Sequence, residues 1–391
     1  MITDVLEQGG IMKKHVMATV AITTFLLNAL NSSAVTINAK SGSREDIQSA
    51  IDNAPENATV VIPEGNFDFK GPKIEVKKNI TISGSGEKKT VLKQTSALDW
   101  FFRVVSDSYF RLTNLVLDGG RNGNGIKIAS DSLEMRIDNS TFKNFKKRAI
   151  ETNGNIKGVI DNNQFQENSV TDIVIYGDND GAWKRPVKLG SDDAVYVEKN
   201  QFEHKNVKGA IHSISSNRGS NYVFRYNTID DGNLNTNPID AHGNFFYGRG
   251  SRKYEIYGNK IKSGGSYQGM YIRGGTGVIY DNEFSGKFDY PIVLENYRSF
   301  RDASTKYPAP DQINDLHIWD NKYEGKEVEP FMRDRGMVRQ HIKKDRDYFM
   351  KKKAGYKAYP FPYEEAEDPE DEIGLMGSLF KMFSMFKKKN A

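Results

Sequence analysis

Ile256-Tyr257-Gly258-Asn259-Lys260-Ile261 (IYGNKI) reads apolar–x–x–Asn–x–apolar, and the same six-residue frame returns along the chain. It stands at Val197-Glu198-Lys199-Asn200-Gln201-Phe202, at Phe224 to Ile229 (FRYNTI), at Ile279 to Phe284 (IYDNEF) and at Ile318 to Tyr323 (IWDNKY). Upstream copies are Ile137 to Phe142 (IDNSTF) and Ile160 to Phe165 (IDNNQF). The asparagines at 163, 200, 227, 259, 282 and 321 are spaced 37, 27, 32, 23 and 39 residues apart. The minimum is the unit and the excess is insertion. Each copy alternates apolar residues rich in Ile, Val, Phe and Tyr between Gly, Asn and Asp, which is the mark of a short strand.

A second pattern lies between the copies. Ala149-Ile150-Glu151-Thr152-Asn153 aligns with Asp172-Ile173-Val174-Ile175-Tyr176 and with Ala210-Ile211-His212-Ser213-Ile214. Pro238-Ile239-Asp240-Ala241-His242, Gly269-Met270-Tyr271-Ile272-Arg273 and Pro291-Ile292-Val293-Leu294-Glu295 continue it. Two strands per unit with no helix-length segment between them excludes helical and leucine-rich repeats. A solenoid of parallel strands remains, because no coil buries its apolar face until the next stacks on it. Propeller blades need about 40–45 residues and four strands, so the spacing disfavours them. The repeated asparagines read as a ladder bonding the backbone at each turn, in dihedrals asparagine tolerates, and none is assigned a catalytic role.

Composition agrees with a folded chain. With its 35 glycines counted, the 391-residue chain is about 46% apolar, inside the usual range. The absence of cysteine excludes disulfides, thiolate metal sites and a cysteine nucleophile. A formal charge of +4, from 55 basic and 51 acidic residues, gives no field for nucleic acid. No P-loop, dinucleotide glycine motif or G-x-S-x-G elbow is present, and no cofactor is expected.

The ends differ from the middle. Lys13 and Lys14, an apolar stretch from Val16 to Leu30, and Ser32-Ser33-Ala34 have the three parts of a secretory signal. Residues 1–34 are therefore expected to be an upstream start and a signal, residues 35–363 the folded domain, and the product secreted. Residues 364–372 form an acidic linker. Residues 373–391 place Leu375, Met376, Leu379, Phe380, Met382, Phe383 and Phe386 at helical spacing before three lysines. They read as a short amphipathic helix, either capping the domain or touching a membrane surface.

Residues 47–69 (IQSAIDNAPENATVVIPEGNFDF) resemble the N-terminal cap and first coil of secreted right-handed parallel β-helix proteins of the pectate-lyase-like superfamily. The later coils, and residues 346–362 (RDYFMKKKAGYKAYPFP), are similar to theirs as well. The resemblance implies an all-β, right-handed parallel β-helix with an N-terminal cap. It is silent on activity, since that superfamily includes lyases, hydrolases, epimerases and non-catalytic binders.

With positions two and four of the second pattern facing the core, positions three and five face outward. Position three then reads Glu151, Val174, His212, Asp240, Tyr271, Val293, and position five Asn153, Tyr176, Ile214, His242, Arg273, Glu295. Insertions at 177–195, 203–209, 230–237, 243–253 and 299–315 would wall a groove beside them. β-Elimination on a uronate needs a cation to neutralise the carboxylate, a base for the C5 proton and an acid for the leaving oxygen. Arg273 suits the first, His242 or His212 the second and Tyr271 the third, with Asp240 orienting a histidine. Glu295, Tyr176, Glu151, Arg218 and Arg298 are the expected substrate contacts, an acidic polysaccharide the expected partner, and a monomer the expected state. Hydrolysis by Asp240 and Glu295, and binding without turnover, are the alternatives. The pairs Asp192-Asp193 and Asp230-Asp231 are a weaker candidate for Ca²⁺.

Residues 202–228 followed by Ile239 to Asn244 (IDAHGN) are similar to the layout of the alginate lyase and chondroitinase B group. That group carries a catalytic lysine and arginine on these coils. Here the arginine's place holds Ala241, no lysine fills the other, and Arg218 is the nearest cation.

Overall fold

The computed structural model describes residues 35–363, apart from 87, 97–99, 208–211, 233–236, 245–247, 297–306 and 334–340. The signal-like segment and the tail with its expected helix lie outside the described residues.

The chain winds as a right-handed parallel β-helix of two long sheets. One sheet of twelve strands runs from Thr36–Asn38 to Tyr348–Phe349. The other nineteen strands form two ladders, joined where Lys260–Ile272 and Glu283–Leu294 run through both. Neighbouring strands pair in parallel, except Lys322–Tyr323 with Lys326–Glu327. Each coil contributes one strand to each ladder, so its backbone groups are satisfied by the coils before and after it.

The inside of the coil is what the repeats predict. Phe142, Phe165 and Phe202 pair in register and stack with centroids 5.2 and 4.8 Å apart. Ile150, Ile173, Ile214, Ile239, Met270 and Ile292 form a second fully buried column, in which Ile214 points inward and not outward as expected. The first coil is closed by helix α1 (Arg44–Asn53), whose N-cap Ser43 accepts from the Asp46 amide and which buries Ile47, Ala50 and Ile51. This lid protects an edge that would otherwise recruit another strand.

The asparagine ladder is present. Asn163, Asn200, Asn227, Asn259 and Asn282 each donate a backbone amide to the Oδ1 of the next rung, at 3.0–3.3 Å. Each rung's Nδ2 also reaches a backbone carbonyl of the preceding coil, as Asn227 does with Val197 at 2.9 Å. The unusual dihedrals do not fall on the rungs themselves. The left-handed residue is the one before each rung: Asn162, Lys199, Tyr226, Gly258, Asp281 and Asp320 have φ between 52° and 65°. The asparagines are selected as acceptors and donors, and the strain falls on their neighbours.

Outside the twelve-strand sheet, Tyr359 and Tyr363 pack on Val159, Ala194, Tyr196, Val223 and Tyr257. Arg225, fully buried, donates to the Tyr359 and Pro360 carbonyls at 2.8 Å each and to Glu198 Oε2 at 2.7 Å. The end of the domain is thus a strap tied over coils formed much earlier in the chain.

Candidate functional site

Strand pairing fixes which side chains share the outer face. Val174, Ser215, Asp240, Tyr271 and Val293 stand in one register column. Position five carries Tyr176, Asn217, His242, Arg273 and Glu295. The placement of His212 in the first column is therefore wrong by three residues. His212 pairs with Thr171, and Ser215 occupies the expected place. The misreading came from Ser216, which turns inward, is fully buried and bonds Ser251 Oγ at 2.9 Å. A polar residue at a core position hid the true strand behind Ala210-Ile211, which lies outside the described residues.

His212 nevertheless reaches the cluster, with Nε2 3.9 Å from Asp240 Oδ2. Asp240 is its hub. Arg273 Nη2 lies 2.7 Å from both Asp240 oxygens, and Nε lies 3.2 Å from Oδ1. His242 Nε2 is 3.1 Å from Asp240 Oδ2, and Arg273 Nη2 is 2.9 Å from the His242 ring nitrogens. Asp240 and Arg273 are only 3% and 6% exposed. Burial alone would push the Asp240 carboxyl up, but Arg273, His242 and His212 outweigh it and hold it well below the usual carboxylate range. This pair is an ionised strut in the floor of the face.

The two histidines are placed differently. His212 Nδ1 lies 2.8 Å from the Asn237 carbonyl, which accepts only from an N–H, so Nε2 carries the lone pair in the neutral ring. Burial pushes His212 below its ordinary value, against the pull of Asp240. The His242 ring has both nitrogens engaged by Asp240 and Arg273. Their side chains are 17% and 26% exposed.

Farther along, the Tyr271 hydroxyl donates to Glu295 and lies 3.3 Å from Arg333 Nη1. Burial, then the bond to Glu295, pushes the phenol well above its ordinary value. Glu295 is buried beside Arg333, with Nε–Oε2 3.7 Å, so its carboxylate faces protein partners. On the other side of the hub, Glu151 is buried between Arg148 and Lys127, the latter at 3.2 Å. The Arg218 guanidinium lies 4.5 Å from the centroid of the Tyr176 ring and Arg148 at 5.6 Å. The structure thus gathers nine expected residues on one face, and Arg298 lies outside the described residues. Yet it buries Glu151 and Glu295, which were expected to meet substrate, in ion pairs.

Sequence reasoning missed Arg333, Lys127 and Arg148. Phe331–Met332 pairs with Val293 and Leu294, so Arg333 follows Glu295 in position five. Extending the second pattern across the long insertion before it would have found it. Of the expected calcium pairs, Asp230-Asp231 has its carboxylates engaged by protein partners. Asp231 is buried with its Oδ1 2.8 Å from His204 Nδ1, and Asp230 lies 3.6 Å from Lys262 Nζ. Among the described residues, no group of three or more His, Asp or Glu side chains is disposed to hold a metal.

Residues 35–237 match the family described as rhamnogalacturonase A/epimerase, pectate lyase-like. No curated protein matches the sequence. Among solved structures, the chain is similar to an alginate lyase from Paenibacillus sp. str. FPU-7, at 16% identity and a TM-score of 0.46, over 67% of this chain and 98% of that one. It is also similar to the A-module of an Azotobacter vinelandii mannuronan C-5 epimerase (13%, TM-score 0.38, over 83% and 99% of the two chains). A family 28 exopolygalacturonase from Yersinia enterocolitica is a third (10%, TM-score 0.35, over 77% and 79%).

Proposed function

From the premise that this chain belongs to the rhamnogalacturonase A/epimerase, pectate lyase-like family, we propose that it is a secreted polysaccharide lyase that cleaves a uronate-containing glycan by β-elimination. The observation that carries this reading is the lone pair of His212 Nε2 on the outer face, beside the ionised Asp240. His212 is the base, and Asp240 stabilises the imidazolium that forms when it takes the C5 proton.

Geometry redistributes the remaining roles. Arg273 is committed to Asp240, so it is a positioning residue rather than the neutraliser. Arg218, which makes no ion pair among the described residues, takes the substrate carboxylate in its place. The leaving oxygen takes its proton from water, since both His242 nitrogens are engaged by Asp240 and Arg273 and Tyr271 holds its own proton against Glu295. Hydrolysis is poorly served, because Asp240 stays ionised and Glu295 is shielded by Tyr271 and Arg333. Binding without turnover is the second reading, favoured by the mutual saturation of Asp240, Arg273, Tyr271 and Glu295. The secretory segment at 12–34 supports export, and the tail at 373–391 is its proposed contact with a membrane surface.

The test is to incubate the protein with pectate, alginate, hyaluronan and chondroitin sulfate, following unsaturated-uronate absorbance and reducing ends together. Both rise for a lyase, and His212→Ala then lowers kcat by about 10²–10⁴-fold. Reducing ends without absorbance, or full turnover by His212→Ala, would sink the assignment.

A further inference from the structure

Behind the loop wall, on the side of the twelve-strand sheet, one arginine is left without an acid. Arg252 stands at the start of strand Lys253–Tyr257, and it makes no hydrogen bond or ion pair from its side chain among the described residues. Its Nε is sealed from solvent with no acceptor. A sealed donor with no acceptor marks the guanidinium as the unpaired charge of this corner. Its neighbour shows the contrast. Arg249 and Arg252 lie 3.7 and 5.1 Å from the centroid of the Trp183 ring. Arg249 is met by Asp180 at 2.7 Å and Asp311 at 2.6 Å, whereas Arg252 has only the ring. Burial and then Arg249 push the Arg252 guanidinium below its ordinary value, and Asp311 opposes them.

Arg252 faces a hollow of about 450 Å³. Val187, Leu189 and Tyr356 give it apolar walls, while Thr276 and Asn314 give it polar ones. The other charges there cancel, since Lys353 Nζ pairs with Asp315 Oδ2 at 2.6 Å. One positive charge is left, with a fork shaped for a planar carboxylate. A mixed wall of aliphatic, aromatic and hydroxyl groups fits a sugar ring better than it fits a bare ion.

We infer that Arg252 anchors a sugar carboxylate in this hollow, an accessory uronate site on the opposite side of the wall from the His212–Asp240 face. The inference rests on the reading of the chain as a binder of acidic glycan. A polymer held at both places would be gripped on its way to the face or after leaving it.

The experiment uses the full chain carrying Arg218→Ala, which removes the proposed carboxylate contact of the groove. Monomeric galacturonate and glucuronate are titrated by calorimetry, against neutral galactose and inorganic sulfate. A uronate binds at one site, galactose does not, and adding Arg252→Gln weakens the uronate by about tenfold or more. Arg252→Lys, which keeps the charge and loses the fork, falls between them. Thermal unfolding confirms that each variant is folded. No uronate binding, equal affinity after Arg252→Gln, or sulfate binding as tightly as uronate would each overturn the site. Turnover assays on the wild-type chain, run beside these titrations, separate the two claims. Absence of turnover on every polymer with Arg252-dependent uronate binding intact defeats the lyase and leaves this site standing.

Discussion

Asp240 and Arg273 show how a polar face becomes a rigid one. A carboxylate almost sealed from water stays ionised because the permanently charged guanidinium of Arg273, with His242 and His212 beside it, outweighs burial. Breaking such a pair from one side leaves an uncompensated buried charge. Arg273→Ala is therefore expected to cost about 3–5 kcal/mol in urea unfolding, and a loss under about 1 kcal/mol would mean that the pair is solvated. His212 gives a pH prediction of the opposite sense to most histidine pairs. Its folded pKa lies below the ordinary value, so its contribution to stability is fully present above about pH 6.5 and is lost as the pH falls through the folded value. Since the base must be neutral, the acid limb of kcat/KM should lie below pH 6.5. A limb above that value would exclude His212 as the base.

At the scale of elements, the ladder and the corners hold the coil. The Asn227 side chain accepts from the Asn200 amide and Nδ2 and donates to the Val197 carbonyl and Asn259 Oδ1, so Asn227→Ala removes several buried partners together. A loss of about 2–4 kcal/mol is expected, read as a shift in urea midpoint at constant slope. A second device fills the corner between two ladders, where fully buried His204 sits between Asp172 and Asp231 at 3.1 and 2.8 Å. Burial opposes its charge, yet the two aspartates push its pKa up to about 10. Its contribution is thus fully present below about pH 6.5 and disappears as the pH rises through about 10. The His204→Gln variant should lose that alkaline limb in thermal unfolding between pH 6 and 10, whereas an unchanged profile would show that His204 is not charged.

These elements also explain what the sequence disclosed. The ladder was legible because its asparagines occupy a fixed place among apolar residues, and the inner columns followed from alternation. The outer face was legible where a strand kept that alternation, as at Asp240, Tyr271 and Glu151. It failed at His212, where Ser216 took an inward place, and it could not foresee burial. Outward residues looked solvent-facing because alternation reports which side of a strand a residue is on, not what covers that side. Val174 and Val293 are buried outside the coil for the same reason.

For the whole molecule, stability accumulates by stacking, so it depends on closures at the ends and along the faces. The strap at the end of the domain is one of these. Tyr356 donates to Glu255 at 2.6 Å, and the Tyr363 amide donates to Glu198 at 3.0 Å. A chain ending at residue 350 should retain strand content by circular dichroism, unfold at lower temperature and bind a hydrophobic dye. Unchanged unfolding would show that the strap is ornament.

The strap also sets an order of events. Its last contact, from Tyr363 to Glu198, joins residues 165 positions apart. It can close only when nearly the whole domain has been made and wound. Until then Tyr196, Tyr257 and Arg225 stand uncovered on an otherwise finished sheet. The strap therefore works as a seal of completeness. A chain stopped short, or not yet fully wound, carries a visible mark that proteases and chaperones can read, and a finished one does not.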